Sequence, residues 1–176
     1  MERFNYIAKI SRIIIGLSLL GFITFYIYNF IESLRNFYYA FGYKLRLIQV
    51  LEILYYSKQV IVPFALILAV SGFFIHNKIG WISITSLFYF ITFEIIFIVI
   101  PSSAPHWSNY FIILIPLIII FLLNLEEIIM KYRLNRSTSI TLNMIAIIIG
   151  LSLTYLQGYI EIYHDFSIWE LEEKIR

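Results

Sequence analysis

A chain of 176 residues that is 61% hydrophobic, 19% aromatic and only 14% charged has too little polar surface to coat a water-soluble globule of its size. A net charge of +2 spread over scattered lysines and arginines excludes an electrostatic footprint for nucleic acid, and the lack of cysteine excludes disulfides, thiolate metal sites and a cysteine nucleophile. With a mean hydropathy of +0.85, the medium that most of this surface meets is lipid.

The first apolar run covers 13–30 and follows Arg3, Lys9 and Arg12 in the manner of a signal. Its apolar core is longer than the ~7 to 15 residues of a cleaved signal and no A-x-A site follows, so it reads as a retained signal anchor. After "NFIESLRNF" comes a stretch that alternates in helical rather than loop fashion. In "KLRLIQVLEILYYSKQ", over 44–59, helical spacing puts Leu47, Ile48, Val50, Leu51, Leu54 and Tyr55 on one face and Arg46, Gln49, Glu52 and Gln59 on another. That pattern predicts a helix lying in the membrane interface. Its first reading is a plain amphipathic connector with a solvated charged edge; the second is a source of positive charge near lipid phosphates through Arg35, Lys44, Arg46 and Lys58.

The second and third apolar runs, 60–75 and 81–100, are separated by the short turn "HNKIG". Glu94 lies inside the third, roughly 10 Å below its outer end by helical rise. An ionised carboxylate at that depth costs at least ~2.5 kcal/mol on insertion scales, which marks Glu94 as a candidate ligand or ion residue. The alternative is a helix lock through Gln157, Thr154 or a tyrosine. Next comes "PSSAPHWSNY", polar and aromatic but without a charge. Trp107 and Tyr110 suit headgroup depth, while Ser103 and His106 offer hydrogen bonds to a phosphate or sugar. The same stretch equally suits capping of the next helix by Ser108 or Asn109.

The fourth run, 110–125, contains Pro116, expected to kink it. Glu126 and Glu127 follow, beside the basic "KYRLNR", whose side chains are their expected partners. The fifth run covers 140–160 and leads into the tail "EIYHDFSIWELEEKIR". Each run approaches the ~20 residues that a helix needs to cross ~30 Å of hydrocarbon, where only internally bonded backbone is tolerated. The chain therefore reads as one membrane domain over 1–176, an all-α polytopic bundle of about five transmembrane helices plus the interfacial helix. Arg3, Lys9, Arg12, Lys78, Lys131, Arg133 and Arg136 fall on one side and place the N-terminus in the cytoplasm and the C-terminus outside. Asn135 heads an N-x-S sequon, but on this topology it is cytoplasmic. Three scattered histidines predict no metal site, and no cofactor is expected.

"APHWSNYFIILIPLIIIFLLNL", preceded by "HNKIG" and a span, resembles the late region of polytopic glycosyltransferases that take sugars from polyprenyl-phosphate carriers, the family-39-like protein mannosyltransferase superfamily. In those proteins an outward His/Tyr element precedes a proline and a further apolar run, and His106, Tyr110 and Pro116 can be laid against it. The resemblance covers roughly Tyr55 to Leu125. It implies a polyprenyl-phosphate carrier as membrane-lipid partner, with His106, Tyr110 and Ser103 near the headgroup. That family's catalytic acid is an aspartate at the outward end of the first span, often paired with a second carboxylate. Here Glu32 is the one carboxylate at that place, the sole aspartate is Asp165, and such enzymes have about twice the spans found here. Three functions are then open. One is a glycosyltransferase-like module that is non-catalytic alone, with Glu32 as its weak catalytic candidate. The second is a non-enzymatic subunit that needs a partner membrane chain, and the third is a small transporter built on Glu94.

Overall fold

The computed structural model describes residues 2–41, 60–99 and 111–175, and every described element is helical. In chain order these are α1 (Glu2–Phe41), α2 (Ile61–Phe74), α3 (Lys78–Glu94, continued by a π-helical turn, Ile95–Val99), α4 (Leu114–Leu123), α5 (Glu126–Lys131) and α6 (Arg136–Ile175). Three segments are long and apolar enough to cross a membrane: 6–36 of α1, 78–97 of α3 and its π turn, and 136–160 of α6. The apolar α2 and α4 are shorter. The predicted interfacial helix over 44–59 and the polar stretch 101–110 lie outside the described residues.

α1 and α6 continue as helix well beyond their apolar runs of 13–30 and 140–160. No proline interrupts either, and a polar residue that faces water costs a helix little. α4 carries its proline in the first turn, and a turn at Ile113 separates it from the helical residues 111–112. The ring of Pro116 would clash with the carbonyl at position 112, so the break falls where the proline dictates.

The short connections are closed by backbone and Asn chemistry. Ile75 N–H donates to Ser71 O at the end of α2, and Asn77 Oδ1 accepts from Gly80 N–H at 3.0 Å to cap α3. A Cβ at Gly80 would sit 1.9 Å from Ile75 O, so this corner closes only on glycine. α5 ends with Arg133 at φ 58° while Leu134 N–H donates to Ile129 O at 3.1 Å and Arg133 N–H to Met130 O at 3.0 Å. These are the paired bonds of a Schellman ending, with arginine where glycine is usual. Asn135 Oδ1 then caps α6 by accepting from Thr138 N–H at 2.7 Å, so the sequon asparagine has a structural task.

α3 is the central strut. Of its best apolar window 56% is buried, against 17% for α1 and 28% for α6. Trp81, Ile84, Leu87, Phe88 and Phe90 are at most 1% exposed, packed among α2, α4 and α6. Polar stitches join these helices. Trp81 Nε1 donates to Leu123 O at 3.1 Å, which satisfies a carbonyl left open at the end of α4. Asn143 Nδ2 donates to Asn124 Oδ1, Asn124 Nδ2 returns to Asn143 Oδ1 at 3.4 Å, and Tyr89 Oη donates to the same oxygen at 3.3 Å. The α2–α3 corner, the end of α4, α5 and the starts of α1 and α6 thus share one end of the bundle. Lys9, Arg12, Lys78, Lys131, Arg133 and Arg136 are all carried on these segments.

Candidate functional site

Of the residues that the sequence singles out, Glu32 and Glu94 are described, whereas Ser103, His106 and Tyr110 lie outside the described residues. Glu32 sits on α1 with its side chain 43% exposed, and its Oε1 faces the Arg35 guanidinium at 3.6 Å one turn along the same helix. That is a surface pair within one helix, a geometry worth a few tenths of a kcal/mol. Glu126 and Glu127 do not form the ion pairs with the basic residues that their proximity in sequence suggests: among the described residues the one ion pair is Arg35–Glu32. The short α5 points Glu127 and Lys131 into a common groove without closing the gap between them to 4 Å.

Glu94 is half-buried, with Oε1 shielded from solvent, on the side of α3 that faces α6. The two helices run parallel. Gly150 abuts Tyr89 and Phe90, Thr154 Oγ1 donates to Phe90 O at 3.4 Å and to Gly150 O at 3.1 Å, and Phe97 shares a cleft with Gly158 and Tyr159. Glu94 is one turn beyond Phe90, and Gln157, 2% exposed, is nearly one turn beyond Thr154. The register therefore brings the carboxyl and the amide to the same level of the bundle.

The basic end carries the site that sequence reasoning missed. A groove of about 970 Å³ opens between α1 and α5, with Lys9, Arg12 and Lys131 at its head and Ile13, Leu17 and Leu20 along its wall. Arg12 lies over the Phe73 ring at 5.3 Å from its centroid. Burial, then Arg12, hold the Lys131 amine below the ordinary lysine value. Burial holds His76 below the ordinary histidine value, and Arg12, Lys131 and Arg133 add to the effect against a bond to the Phe74 backbone. His76 packs on Tyr132, ring centroids 5.8 Å apart, and burial pushes the Tyr132 phenol up to about 12. The sequence signal was available only as the positive-inside count, because Lys9, Phe73 and Lys131 meet through tertiary structure alone. Among the described residues no group of three His, Asp or Glu could hold a metal ion.

Comparison with protein-family models, curated proteins and solved structures finds no match to this chain.

Proposed function

We propose that this chain is a multi-pass membrane module that holds a lipid-linked polar headgroup at its outer end and does not transfer the sugar unaided. On this reading α1, α2, α3, α4 and α6 each cross the bilayer, the basic end faces the cytoplasm, and 101–110 meets the carrier lipid outside. The gathering of six cations at one end supports the orientation. The observation that carries the functional reading is Glu32. The one carboxylate at the place of the resembled family's catalytic acid faces Arg35 on an exposed helix surface rather than a second carboxylate.

The reading of Glu94 as a transport residue is less favoured, because the register toward Thr154 and Gln157 suits a lock between α3 and α6. A partner membrane chain remains part of the proposal, and α1 supports it: Phe25, Tyr28 and Ile31 are 68%, 65% and 57% exposed on a helix whose packing on the core runs from Ala8 to Tyr26.

The test is reconstitution of the purified chain in liposomes with a polyprenyl-phosphate sugar. No transfer is expected, while a photoreactive polyprenyl-phosphate probe is expected to label position 106 in preference to a phospholipid probe. Turnover abolished by Glu32→Gln, or equal labelling by the two probes, would overturn the reading.

A further inference from the structure

The groove at the basic end has a charged head and an apolar wall, and the two have the proportions of one lipid molecule. Three separate stretches of chain converge on the head: α1 brings Lys9 and Arg12, the end of α2 brings Phe73, and α5 brings Lys131. The Arg12 guanidinium lies over the Phe73 ring, 5.3 Å from its centroid, and its Nε–H is shielded from solvent and has no hydrogen-bond partner. Glu127 is the one carboxylate in the lining, and it forms no ion pair with Arg12, Lys9 or Lys131. The head thus concentrates positive charge with donors unspent, and the Lys131 amine is held below its ordinary value by burial first and by Arg12 second.

The wall runs down α1 from Ala8 to Leu20, twelve residues on, a length of about 18 Å at the helical rise. Half of a ~30 Å hydrocarbon core is about 15 Å, so the groove spans one leaflet. Ile13, Leu17 and Leu20 line it at helical spacing and are 52%, 62% and 58% exposed. A soluble anion would use the head and leave this wall bare. A zwitterionic lipid would bring its own cation toward Lys9 and Lys131.

We propose that this groove is a binding site for one anionic phospholipid, its phosphate held by Arg12 and Lys131 and one acyl chain laid along Ile13, Leu17 and Leu20. The site is built only from described residues of α1, α2 and α5 and does not depend on the headgroup loop proposed above. A point-charge attraction would be diffuse. A guanidinium offers a planar fork of donors, the geometry that suits phosphate oxygens, and the buried Nε–H of Arg12 is still unspent.

The experiment uses the full chain in phosphatidylcholine nanodiscs doped with phosphatidylglycerol, reading bound lipid by native mass spectrometry and the thermal midpoint by fluorescence. Phosphatidylglycerol is expected to be retained and to raise the midpoint, with retention weakened roughly fivefold by Arg12→Gln or Lys131→Gln and about 25-fold by both. Leu17→Trp fills the wall and leaves every charge in place, so it keeps the test readable should loss of Arg12 unfold the chain; it too is expected to weaken retention. The double variant Lys78→Gln, Arg136→Gln removes the same charge from the same end outside the groove and is expected to change retention by less than about twofold. Equal loss from that control pair would overturn the site in favour of a diffuse surface charge. A midpoint shift matched by inorganic phosphate, or retention unaffected by Leu17→Trp, would overturn the lipid assignment.

Discussion

Replacing Gly150 by alanine tests whether α3 and α6 are held as closely as the structure has them. An added Cβ would lie 2.7 Å from Tyr89 Cβ and 2.9 Å from Phe90 N, both closer than carbon normally approaches, and the second contact is backbone that cannot rotate away. The helices must part by roughly 1 Å to restore van der Waals separation near ~3.5 to 4 Å. This is the most extensive helix–helix interface among the described residues, so the shift also stretches the Thr154 hydroxyl away from Phe90 O, already at 3.4 Å. Overpacking of this kind costs about 1–3 kcal/mol, and we expect a loss in that range. The assay is equilibrium unfolding in mixed micelles by titration with SDS. Gly21→Ala and Gly158→Ala are the controls, since a Cβ at either meets nothing within 4 Å. There the better helix propensity of alanine should leave stability unchanged or raised by up to about 1 kcal/mol. If Gly150→Ala unfolds at the same SDS fraction as these controls, the close parallel approach of α3 and α6 is refuted.

Asn143→Leu removes the bonds to Asn124 and Tyr89 and is expected to cost about 1–2 kcal/mol in the same unfolding assay, with Asn124→Leu adding little on top because the two amides serve each other. His76 has a folded pKa below its ordinary 6.5, so the unfolded chain takes up the proton first and stability should be full above about 6.5 and fall as pH drops through that value; melting curves across that range should show the decline in the parent and lose most of it in His76→Gln. Glu94→Gln keeps a hydrogen-bonding group level with Gln157 and is expected to alter stability by less than about 1 kcal/mol, whereas a larger loss in SDS unfolding would show that the negative charge itself is required. Reporter fusions after Arg136 and Arg176 should report opposite sides of the membrane, and a common side would refute the orientation proposed here.

Much of the fold was legible because lipid leaves the backbone few choices. Apolar runs at 60–75 and 81–100 become α2 and α3 with bounds shifted by a few residues, since hydropathy and the need for internal hydrogen bonds act on the same residues. Hydropathy marks only the apolar part of a helix, so the runs 13–30 and 140–160 cover less than the full helices α1 and α6. The ending of α5 was hidden by Arg133, because the left-handed position that usually announces itself with glycine is occupied by a side chain. Asn124 and Asn143 are nineteen residues apart in sequence, and only the antiparallel return of α6 along α4 makes them a pair. The basic groove was hidden for a related reason. Charge counting assigns Lys9, Arg12 and Lys131 to one side of the membrane, but it takes the packing of α1 on α5 and on Phe73 to bring them within reach of one ligand.

The placement of the polar stitches bears on that groove. Trp81 on Leu123, Asn124 on Asn143, Asn77 over Gly80, Asn135 over Thr138 and the Schellman bonds of Arg133 and Leu134 all lie toward the basic end. Each one satisfies a backbone or amide group, and the His76–Tyr132 ring contact joins the α2–α3 corner to the end of α5. Lys131 and Phe73 are therefore mounted on parts that are already ordered, and Arg12 lies over the Phe73 ring. A ligand that binds there need not order the protein, so the free energy of its contacts is not offset by that cost. The long α1 supplies the remaining wall by lying against this fixed end through Ile15 and Leu19, at 2% and 4% exposure, and its packing continues through Phe22, Ile23 and Tyr26. Rigidity at the charged end and exposure along α1 thus belong to one arrangement, in which the sites that must recognise a headgroup are stitched and the surface that meets acyl chains is left open.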